Sequence, residues 1–127
     1  MLKGACVFDR AILQDFFKKA GVVEEYNDFT MYYGLFEKGD LIGIVKMYPK
    51  NDGCFLEDVI WKGQFPFLYE EFLVKSAINF ALTFNTQKLI MTKKCKEFLI
   101  PMNFVEKEEF MVGKTDEVDF PHNCCGK

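Results

Sequence analysis

The sequence predicts an α/β chain: a mixed, mostly antiparallel sheet with helices on both faces. Three observations predict it. Strand-like and helix-like runs alternate in the order β-α-β-β-β-α-β-α-β. "TMYYGLF" and "LIGIVKMY" flank "EKGD", two β-rich arms around a turn, which reads as an antiparallel hairpin. A long helical pattern over Phe65–Phe84 lies between the strand-like runs "CFLEDVIW" and "KLIMT", and a strand, helix and strand in that order favour a parallel crossover.

Each element has a local reason. "GACVF" is a short strand. "DRAILQDFFKKAG" is a helix: Asp9 can accept from the first-turn N–H groups, and Ile12, Leu13, Phe16 and Phe17 recur at helical spacing. Lys18 and Lys19 suit its last turn and Gly21 its end. In the second hairpin arm Leu41, Gly43, Val45 and Met47 alternate with Ile42, Ile44, Lys46 and Tyr48. Both sets are largely apolar, so the strand is expected to be covered on both sides.

Pro66 suits the first turn of the long helix, because its missing N–H would be unpaired there anyway. Tyr69, Phe72, Leu73, Ser76, Ala77, Phe80 and Phe84 form its apolar stripe, and Glu71 and Lys75 mark the polar side. Ile78 and Leu82 intrude on that polar side, so a cover from the tail or a second chain is expected there, and with it a homodimer or partner surface. "KKCKEFLI" is a short helix ended by Pro101, and "FVEKEEFMVG" is a last strand or hairpin arm. One domain is expected over residues 1–115, with 116–127 as a tail.

With 127 residues, half of them apolar and fifteen of them Phe, the chain can bury a sizeable core. A net charge of −3 argues against nucleic acid as a partner. No apolar run is long enough to span a membrane, and Asp9 and Arg10 interrupt the N-terminal one, so a cytoplasmic protein without a membrane partner is expected. Five scattered Cys do not make a disulfide framework.

From Met31 to Met111 the order and residues resemble the GNAT superfamily, the acyl-CoA N-acyltransferases. "GLFEKGDLIGIVKMYP" looks like its second and third strands, "CFLEDVIW" its fourth, "LVKSAINFAL" the body of the helix after its acyl-CoA loop, and "KLIMT" its fifth strand. "FLIPMNFVEKEEF" looks like the stretch before and into its sixth strand, with Asn103 where the family often has glycine. The family's second helix is missing or reduced to "VVEEYN". Its most specific motif, Gln/Arg-x-x-Gly-x-Gly/Ala, aligns with Phe65 to Glu70, and none of the motif residues is present.

The resemblance implies acyl transfer from acetyl-CoA or another acyl-CoA to an amine, on a small molecule or a protein. It places the cofactor against Val59, Ile60 and Trp61, and against Phe65, Phe67, Leu68, Tyr69 and Glu70, whose backbone N–H groups would meet the pyrophosphate. Phe67, Leu68 and Tyr69 put bulk there, and Glu70 adds a like charge. It also places a general base at Glu57 or Asp58, which alternation puts on opposite faces of their strand.

The same residues read differently without the family. Glu57 and Asp58 can be paired carboxylates at a bulge. Trp61, Phe65, Phe67 and Tyr69 can be a pocket wall, a partner surface or a plug. A non-catalytic module of the same fold, binding a protein partner or another small ligand, is the alternative function. Tyr32, Tyr33, Tyr48 and Tyr69 are available proton donors, but the segment after "KLIMT", where the family often has one, offers Lys94, Cys95, Lys96 and Phe98. Cys95, between lysines near a helix start, is a candidate stabilised thiolate, with His122 as its conceivable partner. His122, Cys124 and Cys125 lack the paired spacing of a zinc site, and no metal is assigned.

Overall fold

A computed structural model describes residues 1–119 apart from Glu25, Asp28, Asn51 and Asn85. His122, Cys124 and Cys125 lie outside the described residues. The strands are β1 (Leu2–Cys6), β2 (Met31–Glu37), β3 (Asp40–Pro49), β4 (Cys54–Leu56), β5 (Ile60–Trp61), β6 (Lys88–Thr92), β7 (Val105–Lys107) and β8 (Phe110–Lys114). The α-helices are α1 (Arg10–Ala20), α2 (Phe67–Ala81) and α3 (Lys96–Leu99), the last flanked by single 3-10 turns. One sheet runs β1-β2-β3-β4-β6-β8-β7, with β5 paired to β3. Among the described residues only the β4–β6 pairing is parallel.

Local chemistry sets the ends of α1. The Asp9 carboxylate accepts from the N–H groups of Ala11 and Ile12, and Gly21 closes the helix at φ 74°. Leu13, Phe16 and Phe17 are buried, but Ile12 is largely exposed. The β2–β3 turn places Lys38 and Gly39 at positive φ, the two-residue form whose twist matches the strands.

Two cores lie on opposite faces of the sheet. Under α1, Phe16 and Phe17 meet Tyr32, Leu41 and Ile44. Under α2 and α3, Leu73, Ala77 and Leu99 meet Leu35, Val45, Met47 and Met91. The expected alternation in β3 fails at its start. Leu35 pairs with Gly43 and Phe36 with Leu41, so Ile42 is an extra residue. This bulge sends Leu41 to the α1 side and Ile42 to the α2 side.

The buried face of α2 is also turned from the expected stripe. Leu73, Val74, Ala77, Ile78 and Ala81 are buried, whereas Phe72 is 40% exposed. Ile78 is fully buried and Leu82 packs on the same core, as does Val118 of the expected tail, so Ile78 is buried without a second chain. The reason is lateral: α2 lies beside the α3 segment as well as on the sheet. The ammonium of Lys75 stands over the Phe98 ring and bonds Glu71 at 2.6 Å.

The short helix does not stop at Pro101. It runs through Met102 and ends at Asn103, φ 73°, a left-handed position that Asn tolerates better than most residues. The stretch after it is a full hairpin, β7 and β8, rather than one arm. The backbone then continues to Asp119, whose N–H donates to Met102 O at 3.1 Å.

Gly43 permits a close approach by its partner in β5. A Cβ there would stand 2.6 Å from the Trp61 ring. Gly43→Ala is expected to displace Trp61 and destabilise the protein by about 1–3 kcal/mol. Urea unfolding measures the loss, and emission from the single Trp reports the displacement.

Candidate active site

The site begins where β4 stops pairing with β6. The parallel register holds for Cys54 with Leu89, Phe55 with Ile90, and Leu56 with Met91, and ends there. The next N–H, on Glu57, donates to Lys46 O in β3 at 3.0 Å. The chain bulges through Asp58 and Val59 and rejoins β3 as β5, with Ile60 opposite Ile44 and Trp61 opposite Gly43. The expected single strand "CFLEDVIW" is therefore two strands. From Leu56 onward it follows β3 and leaves β6, so a wedge opens between the C-terminal ends of the parallel pair. Among the described residues the N–H groups of Asp58 and Val59 have no backbone partner.

α2 begins beside this wedge. Pro66 is its cap residue, one position before the expected first turn, and offers no side-chain cap. Tyr69 N–H turns back to Pro66 O at 2.9 Å, and among the described residues the N–H groups of Phe67 and Leu68 have no partner. An uncapped helix start presents bare donors and the positive end of the helix dipole.

The aromatics divide around that start. Trp61, Phe65 and Tyr69 stack in a column, with centroids 5.5 and 5.8 Å apart. Trp61 lies on Gly43 of β3, and the Tyr69 hydroxyl donates to Glu37 of β2 at 2.6 Å. That bond holds the Tyr69 phenol above its ordinary pKa. The column's anchors are thus on the side away from β6. Phe67 goes the other way, with its ring centroid 6.1 Å from that of Phe98 in α3. The bulk expected over the helix start stands at its rim: Phe67 and Leu68 are 59% and 72% exposed.

Glu57 and Asp58 do diverge. Glu57 lies 3.3 Å from Lys46, which also bonds Glu24 at 2.6 Å. Burial pulls the Lys46 pKa down, but the Glu24 bond and the Glu57 charge outweigh it and raise it. Tyr48 follows Lys46 on the same face of β3 and borders a hollow lined by Asn27, Phe29, Thr30, Pro49 and Lys50. Asp58 instead accepts from the Thr92 hydroxyl, a side-chain clasp across the mouth of the wedge from β6. Of the other tyrosines, Tyr32 accepts from Asn27 N–H at 2.9 Å and Tyr33 is buried under α2.

No family model matches the sequence, and no curated protein does. Solved structures do resemble it. The ribosomal-protein-S18-alanine N-acetyltransferase from Escherichia coli superposes with a TM-score of 0.68 at 10% identity, covering 97% of this chain and 98% of that one. The N-acetyltransferase YlbP from Bacillus subtilis, in complex with coenzyme A, gives 0.59 at 18% identity over 94% and 100%. Ard1 from Thermoplasma volcanium gives 0.59 at 10% identity over 87% and 97%. The fold is the GNAT fold.

Within this GNAT fold the structure brings Val59, Asp58, the start of α2 and Glu70 to the wedge, and takes Trp61 and Tyr69 away from it. It also assembles a cluster that the sequence reading missed. Cys95 donates its thiol to Glu70 Oε2 at 3.6 Å, and Lys94 Nζ lies 4.0 Å from the same oxygen. Only the like charge of Glu70 was legible, because its partners are 24 and 25 residues further along the chain. Cys95 is not a stabilised thiolate. It is buried, and burial followed by the Glu70 charge pushes its pKa up to about 12.

A raised thiol pKa means that the folded chain keeps a proton that the unfolded chain releases. Cys95 is therefore expected to contribute stability that is intact below pH 9 and is lost as pH rises towards about 12. Urea unfolding at pH 8 and pH 10 should show a smaller alkaline loss in Cys95→Ala than in the parent. An equal loss in both would contradict the assignment.

Proposed function

We propose that the protein transfers an acyl group from an acyl-CoA thioester to an amine. The observation that carries this reading is the parallel β4–β6 pair parting after Leu56 beside the uncapped start of α2. The GNAT fold supports it, and a solved structure of that fold is a complex with coenzyme A.

The residues present fit the carrier in two respects. The bare N–H groups of Phe67 and Leu68 suit a diphosphate. The N–H groups of Asp58 and Val59 suit an amide-bearing arm lying in the wedge. Every position from Phe65 to Glu70 carries a side chain, so these donors meet the ligand at the helix end, without the close approach glycines allow. When bound, the acyl-CoA supplies a thioester carbonyl open to attack.

Of the two candidate bases, Glu57 suits the role better. Its side chain is 40% exposed and lies on the face that Tyr48 and the adjoining hollow present to an incoming amine. There it can take the proton that the attacking amine gives up. Lys46 fixes its orientation. Asp58 is tied to Thr92 and serves as a positioning residue at the wedge mouth. The alternative is a module docking a partner through Trp61, Phe67 and Tyr69; here Trp61 and Tyr69 are partly buried and engaged by Gly43 and Glu37, and Phe67 alone of the three is largely exposed.

Acetyl-CoA is expected to raise the melting temperature of the purified protein by mass action. No shift at millimolar ligand would remove this reading. Glu57→Gln should lower the rate of amine acylation by about 10²–10⁴-fold while leaving coenzyme A affinity within twofold. A variant that loses binding instead would assign Glu57 to structure.

A further inference from the structure

The start of α2 carries opposite charges side by side. Its backbone end is positive and bare, yet Glu70 sits in its first turn with only 15% of its side chain exposed. A multiply charged anion approaching Phe67 and Leu68 N–H would meet that carboxylate, so a counter-charge is needed close by. Four lysines on α2 and the segment after β6 are available. Lys93 is held by Glu106 of β7 at 2.7 Å. Lys75 is held by Glu71 at 2.6 Å. Lys96 is exposed on α3. Lys94 differs from them: its ammonium faces Glu70 at 4.0 Å, the limit of an ion pair, and its side chain is 55% exposed. Glu70 does not depend on it, because the buried Cys95 thiol already donates to the same oxygen.

Resting on the acyl-CoA reading above, we infer that Lys94, in the turn that follows β6, is the cation that binds the carrier's phosphates, and that Glu70 is the counter-charge it leaves to do so. The flexible four-carbon stem lets the ammonium swing from a loose, solvated pair to the anion beside the helix end. A pair at this distance with an exposed lysine is weak, whereas a charge-assisted contact to phosphate at a helix start is strong, so the exchange favours the ligand. The positive charge that a phosphate cradle needs thus comes from a segment almost thirty residues later than the loop itself.

Calorimetric titration of the intact protein with coenzyme A tests this at two salt concentrations, with thermal melts confirming that each variant is folded. Lys94→Gln is expected to weaken binding about tenfold and to flatten its salt dependence. Glu70→Gln is expected to tighten binding severalfold, because the competing carboxylate is gone. Lys96→Gln, two residues away and unpaired with Glu70, should stay within twofold of the parent. The inference is overturned if Lys94→Gln also stays within twofold, or if Lys96→Gln weakens binding as much. Should the parent itself fail to bind coenzyme A, the acyl-CoA reading falls first and takes this one with it.

Discussion

The architecture of the site depends on the point where one strand gives up one of its two neighbours and keeps the other. Through Leu56 the strand is shared between β3 and β6. At Glu57 the pairing with β3 continues in the same register, N–H to Lys46 O, while that with β6 stops; the bulge follows, and the chain is thereafter committed to β3. A strand cannot satisfy both neighbours when they diverge, and a bulge is how a sheet ends one pairing without losing the other. The wedge, the bare donors of Asp58 and Val59, and the position of the α2 start all follow from that one switch.

The helix that covers the wedge is held by its flanks, with little help from its cap. Pro66 supplies no side-chain oxygen. Instead the Trp61–Phe65–Tyr69 column ties the first turn towards β3 and β2, and Phe67 with Phe98 ties it towards α3. Large rings thereby replace the small residues that usually let a backbone come close to a phosphate. They fix the helix end from both sides and leave its N–H groups facing outward. The polar cluster of Glu70, Cys95 and Lys94 sits against the α3 flank, where burial keeps the thiol protonated and makes it a donor to the carboxylate.

The two carboxylates of the bulge show how a short irregularity assigns roles. Adjacent in sequence, Glu57 and Asp58 project to different neighbours: Lys46 on one side, Thr92 on the other. One is left accessible beside Tyr48. The other joins two parallel strands that no longer share backbone bonds at that level. The same bulge principle acts in β3, where the extra residue Ile42 moves Leu41 from one core to the other.

What the sequence determined by itself was everything carried by local pattern. The order of elements, the Asp9 and Gly21 ends of α1, the β2–β3 hairpin, the two-sided burial of β3 and the parallel crossover through α2 all rest on periodicity and capping, which act within a few residues. The separation of Glu57 from Asp58 was legible for the same reason. Only the tertiary structure decided which face of α2 is buried, because that depends on α3 lying alongside it. It decided that Ile78 needs no outside cover, that Cys95 is a thiol, and that Lys94 stands by Glu70. Each of these follows from a neighbour distant in the chain, and burial and charge act through space, where sequence spacing carries no signal.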